Sequence, residues 1–422
     1  MRALWLLASA AVAADNTFLL TNVNVHPVTA PEMANTSVLI KDGVVAEIAA
    51  KIKPPKGMTV IDAKGMRLYP GLINSGTRMG LDEINAVRET SDTNELGDFN
   101  PQLRSIIAVN PSSAHIPVTR ANGITASITL PNGGMLAGQA ALIHMDGWTW
   151  EEMAVTRSAA MHLRFPVLAT RAPGRGGSDE TRRIPYPEAK RKHDEDLAKL
   201  TQFFENARRY QRAKSSSGVE VKTDLKFEAM LPVLEGRLPV MITASREREI
   251  REALEFAQQQ KIKIILAKVR EVRGNLEKIK EHKVPVVLGE TLALPIQEDD
   301  SYDSQFSLPG ELQKAGVLFA FGTFDEAANF TDRNLPYNAA AAVPFGLPQD
   351  AALKALTINA ARIWGVDDKI GSIEKGKWAD LILTDGDPLE TQTQILRMWI
   401  QGRAVSLESK HTLLYEKYRN RP

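Results

Sequence analysis

The chain has 422 residues, of which 43% are apolar and 24% charged, and a formal net charge of +1. That length exceeds one small core and fits a large barrel with an accessory unit. The near-neutral charge gives no overall attraction to nucleic acid or an anionic membrane surface. The absence of cysteine removes thiolate metal sites, cysteine nucleophiles and disulfides.

In chain order, Met1-Arg2 precedes an apolar run from Ala3 to Ala13 that closes on the small-x-small pattern Ala11-Val12-Ala13. This predicts a short secretory signal over residues 1–14 and a periplasmic or secreted protein, with a buried N-terminal strand or helix as the alternative. The run is shorter than the ~20 residues that span a bilayer, so no stable membrane span is expected. From Thr17 to Arg67 the apolar residues alternate in short segments separated by turns such as Lys41-Asp42-Gly43. They predict a small antiparallel sheet too short to stand alone.

Tyr69-Pro70-Gly71-Leu72-Ile73-Asn74-Ser75-Gly76-Thr77-Arg78 then opens the main body. Apolar β-type runs follow at Ile124–Leu130, Ala140–Ile143, Leu238–Ala244, Ile262–Ala267, Val284–Gly289 and Val317–Gly322. Helical patterns such as Glu247–Gln260 lie between them, which is the signature of a parallel (β/α) barrel. Gly133-Gly134 with Gly138 reads as a tight strand-to-strand turn, with a phosphate cradle as the weaker alternative. A basic, glycine-containing stretch over 171–222 predicts an inserted loop and helical hairpin over the barrel mouth, either solvated or a lid. Near the far end, Gly371-Ser372-Ile373-Glu374-Lys375-Gly376-Lys377-Trp378-Ala379-Asp380-Leu381 is followed by Asp387-Pro388 and a strand around Met398–Val405.

Pro70–Ile73, the Arg120-Ala121-Asn122-Gly123 turn, Pro131-Asn132-Gly133-Gly134 and the closing segment resemble the amidohydrolase superfamily. The similarity is greatest to its imidazolonepropionase-like branch. The resemblance implies an α/β fold, a (β/α)8 TIM-type barrel over 69–364, with a small β-sandwich formed jointly by 15–68 and 365–422. It implies hydrolysis of non-peptide C–N bonds in cyclic amide-like substrates by a divalent metal. Such a metal lowers the pKa of its bound water.

The same resemblance shows where the ligands should stand. Asn74 occupies the place of an Asp, Gly76 and Arg78 those of a His-x-His pair, Thr243 that of a later His, and Lys268 lies near another. Asp325 alone keeps the place of the acid on the last strand. No metal and no cofactor are therefore expected. The acidic run of Asp82, Glu83, Glu89, Asp92, Glu95 and Asp98 reads either as a carboxylate metal site or as a solvated loop. The seven histidines form no His-x-His pair and read as structural or surface groups.

The function expected is that of a degenerate member that binds a small molecule or supports an active amidohydrolase paralogue, as a homo-oligomer or heteromer. Arg78 and Asp325 are the candidate catalytic pair of the alternative, a metal-independent hydrolase. Asn74, Thr243, Lys268, Arg120 and Asn122 are the candidate ligand contacts. A non-catalytic envelope interaction protein is the third reading.

Overall fold

A computed structural model describes residues 16–84, 87–173, 181–216, 221–297, 299–324, 331–419 and 421. The expected signal segment and Asp325 lie outside the described residues. The first strands are β1 (Phe18–Val25), β2 (Met33–Lys41), β3 (Val44–Ala49), β4 (Thr59–Asp62) and β5 (Arg67–Pro70). They join three late ones, β16 (Leu381–Thr384), β17 (Ile395–Ile400) and β18 (Arg403–Val405). The result is one sheet in the order β18-β17-β16-β5-β1-β2-β3, with β4 beside β1. The two chain regions meet where β16 runs antiparallel to β5, Leu383 opposite Leu68. Phe18, Leu20, Val23, Leu381 and Trp399 form its apolar core, and the Phe18 and Trp399 rings stack at 5.3 Å.

The second large sheet holds β6 (Leu72–Thr77), β7 (Ile124–Thr129), β8 (Leu136–His144) and β9 (Ala154–Arg164). A short hairpin, β10 (Arg171–Pro173) with β11 (Thr181–Arg183), interrupts the series. The sheet continues with β12 (Val240–Thr243), β13 (Ile264–Val269), β14 (Val286–Leu288) and β15 (Phe319–Phe321). Its order, β15-β14-β13-β12-β9-β8-β7-β6, makes a nearly closed barrel. The expected barrel is present, with one departure. β8 runs antiparallel to both neighbours, while the other pairings are parallel. A parallel return needs a crossover of about a dozen residues or more, and the Pro131–Gly134 turn after β7 is too short for one.

The barrel closes through hydrogen bonds between β6 and the residues just beyond β15. Phe324 N–H donates to the Gly76 carbonyl at 2.9 Å, and Asn74 Oδ1 accepts from Thr323 N–H at 3.2 Å. Below, Gly71 has no room for a side chain, since an ideal Cβ would lie 2.0 Å from Thr125 Oγ1. Its N–H donates to the Asp380 carbonyl at 2.8 Å, tying the start of β6 to the closing segment. Asp380 and His144 form a buried pair at 2.8 Å, and Asp380 Oδ1 also accepts from Gln401 N–H. The resembling closing segment thus welds the terminal sheet to the barrel floor.

The inserted region contributes the long helix Tyr186–Ser215, which packs on the helix Leu225–Leu234 with Phe203 against Phe227. Phe204 meets Phe256 edge-on at 5.3 Å, fixing the long helix to the barrel helix Glu247–Gln260. This places Lys192, Asp196 and Lys199 beside the C-terminal ends of the strands. Among the described residues no helix is long and apolar enough to cross a membrane.

Candidate functional site at the barrel mouth

Alternation along a strand sends every second side chain to the same face. At the C-terminal ends of β6, β9 and β12 this brings Thr77, His162, Arg164 and Thr243 to one cavity of about 530 Å³. Arg78, Lys268 and Phe324 line it from the positions just beyond β6, within β13 and beyond β15. Barrel mouths of this kind are where such folds place their chemistry.

At its floor, Asn74 is fully buried and donates from Nδ2 to Thr323 Oγ1 at 3.0 Å, while the Thr323 hydroxyl donates to Asp332. Asn74 is thereby committed to barrel closure beneath the cavity. Gly76 carries no donor, and the space above it is taken: an ideal Cβ there would lie 2.4 Å from the Phe324 ring. Phe324 itself sits at φ 47°, a left-handed backbone that turns its ring back over β6.

His162 is buried between two partners, Nδ1 at 2.6 Å from the Pro131 carbonyl and Nε2 at 2.9 Å from Thr243 Oγ1. A carbonyl can only accept, so Nδ1 carries the proton and the Thr243 hydroxyl donates to Nε2. Burial pushes the His162 imidazolium down to about 4, and the Arg164 and Arg78 guanidinium groups press in the same direction. A base that weak stays neutral at ordinary pH and takes protons poorly from a threonine hydroxyl. The pair therefore orients the mouth and is a poor nucleophile-activating dyad.

Around this neutral floor the lining is cationic. Arg78, Arg164, Lys192, Lys199 and Lys268 face Asp98, Asp196 and Glu249. Asp196 is paired with Lys192 at 2.8 Å, and Glu249 caps its helix by accepting from Ser245 and Arg246 N–H. Arg78 lies 3.9 Å from Asp82. Among the described residues that line the mouth, five cations stand against three carboxylates.

The divalent metal implied by the resemblance does not fit these residues. Position 76 has no ligand atom and is covered by an aromatic ring, Thr243 is bonded to His162, and Arg78 and Lys268 bring like charge to a cation. Among the described residues no three His, Asp or Glu side chains gather as a metal site, the acidic run after β6 included.

Of the expected site residues, the structure brings Arg78, Thr243 and Lys268 together at the mouth and sets Asn74 below it. Arg120 and Asn122 stand at the opposite end, before β7. There Arg120 Nη1 donates to the Met145 carbonyl and to Asp146 Oδ1, each at 2.9 Å, and Asp146 also receives Arg403 at 2.7 Å. Burial lowers the Arg120 pKa, and Asp146 opposes that shift. Asn122 Nδ2 donates to the Arg333 carbonyl at 2.8 Å. Both residues are structural at the seam and do not reach the mouth, which corrects the expectation of ligand contact. His162, Arg164 and Phe324 went unpredicted as site residues. For His162 and Arg164 the one signal was the His162-Leu163-Arg164 alternation, visible only once β9 is known to be a strand.

Comparison with known proteins gives the following. The profile described as "Amidohydrolase family" matches residues 241–405. "Amidohydrolase tasK" from Hapsidospora irregularis is 22% identical over 393 residues, covering 87% of this chain and 39% of that protein. The chain thus spans about two fifths of that curated relative. An amidohydrolase from Thermotoga maritima MSB8 superposes with a TM-score of 0.80 at 25% identity, covering 92% of this chain and 99% of its own. An adenosine deaminase from Xanthomonas campestris, solved with bound zinc, shares the fold with a TM-score of 0.53 at 17% identity, covering 95% and 97% of the two chains.

Proposed function

Because the chain belongs to the amidohydrolase superfamily, and its mouth offers cations where the resemblance places metal ligands, we propose that it is a metal-free, ligand-binding member. Its ligand is a small anion carrying a carboxylate or phosphate. The observation that carries this reading is the Phe324 ring over Gly76, flanked by Arg78 and Lys268. Fold alone does not fix chemistry, so the site decides. A guanidinium and an ammonium at strand ends supply the fixed positive charge that a metal would otherwise present, and each donates charge-assisted hydrogen bonds to an oxyanion. The imidazolonepropionase-like resemblance is retained as the origin of the scaffold and not as its reaction.

Calorimetric titration of the full chain with inorganic phosphate and with malonate tests this reading. Saturable binding is expected, and Arg78→Ala or Lys268→Ala should each weaken it by about tenfold, as loss of one hydrogen bond to a charged group predicts. Stoichiometric zinc or manganese that survives dialysis, or binding unchanged in both variants, overturns it.

A further inference from the structure

A second cavity, of about 520 Å³, opens at the other end of the barrel beside the starts of β12, β13 and β14. It shares no lining residue with the mouth. Its floor is apolar: Leu254, Ala257, Ile264 and Ile363 are core side chains left 5–8% exposed, where their neighbours Ile242 and Leu266 are fully shut. Its rim is basic, with Lys261, Lys263, Lys283 and Arg237, and among the described residues no carboxylate lines it. Arg237 is paired with Glu235 at 2.8 Å, which leaves the three lysines as the local charge.

Two of those lysines hold unusual backbone. Lys261 ends its helix at φ 49° and Lys283 follows its own at φ 51°. Left-handed geometry is disfavoured for a residue with a Cβ, and helices that end this way usually use glycine. Eight other described non-glycine residues share this backbone, Lys64 and Lys268 among them, but Lys261 and Lys283 both set an ammonium group at the same cavity.

We propose that this cavity binds an amphipathic monocarboxylate, with a medium-chain aliphatic or aryl body on the apolar floor and its head among Lys261, Lys263 and Lys283. The volume is in the range of small-molecule sites, and a mostly apolar lining with a few polar groups is their usual make-up. Burial of the body supplies affinity, and the lysine rim selects an anionic head.

Decanoate titrated into the full chain, with decanol as the uncharged control, tests the proposal. Saturable binding of decanoate is expected, with decanol weaker. Lys261→Gly and Lys283→Gly suit the left-handed backbone and should keep or raise the melting temperature. Each should weaken decanoate about twofold to fivefold, the effect of one exposed ion pair. Ala257→Trp should abolish binding by filling the floor, and if that variant does not fold, the glycine variants decide. Arg78→Ala should leave decanoate affinity unchanged. No saturable binding, equal affinity for decanol, full affinity in the double glycine variant, or loss of binding in Arg78→Ala overturns the proposal.

Discussion

The seam between the terminal sheet and the barrel, and the mouth at the far end of the same strands, handle charge in opposite ways. At the seam the basic groups meet carboxylates: His144 hydrogen-bonds Asp380, and Arg120 and Arg403 pair with Asp146. Among the described residues at the mouth cations outnumber carboxylates, and a phenyl ring covers the strand end. Strand β6 takes part in both, with Gly71 locked to Asp380 and Gly76 packed under Phe324. One end of the strand is held by the closing segment and the other packs under the Phe324 ring.

The largest effect expected from this contrast is at the seam. Asp380→Ala leaves the buried His144 imidazole and the Gln401 N–H without their acceptor, so it should destabilise by about 2–5 kcal/mol in thermal or urea denaturation. A loss below ~1 kcal/mol would mean that the seam is no firmer than an ordinary surface contact.

Next comes the pH dependence of the mouth. The His162 pKa is held near 4 when folded and reverts to its ordinary 6.5 when unfolded. Above 6.5 both states are neutral and the contribution is complete. As pH falls from 6.5 towards 4 only the unfolded chain gains the proton, so stability declines, by on the order of 3 kcal/mol in total. Melting curves of the parent chain and of His162→Gln should differ in slope across that window, and parallel slopes would place His162 outside the effect.

Gly76→His, which restores an imidazole, should cost about 1–3 kcal/mol through overpacking against Phe324. Combining it with Phe324→Ala should recover part of that cost. Simple additivity of the two changes would show that the ring does not occupy the abandoned space.

Much of the scaffold was legible in the sequence because local patterning and tertiary packing agree there. Strands expected over Leu238–Ala244 and Val284–Gly289 appear as β12 and β14, trimmed at their ends. The closing segment reads correctly because Asp380, Gly376 and Trp378 answer to packing rather than to a substrate. β9 escaped, since its first half, Ala154-Val155-Thr156-Arg157, mixes polar and apolar side chains without a clear period. With β9 unseen, His162 looked isolated, and its partner Thr243 lies far along the chain. The direction of β8 was hidden for a different reason: an apolar run announces a strand but carries no arrow.

The late pairing of β16 with β5 also has a consequence in time. While a ribosome is still making the barrel, β5 has an open edge whose hydrogen-bonding groups have nothing to bind, because Leu381–Thr384 do not yet exist. Exposed edges recruit other chains, and pairings between distant segments form slowly. The nascent protein therefore passes through a long interval in which its first sheet is half built and adhesive, and folding is complete only when the last-made strands fill that edge.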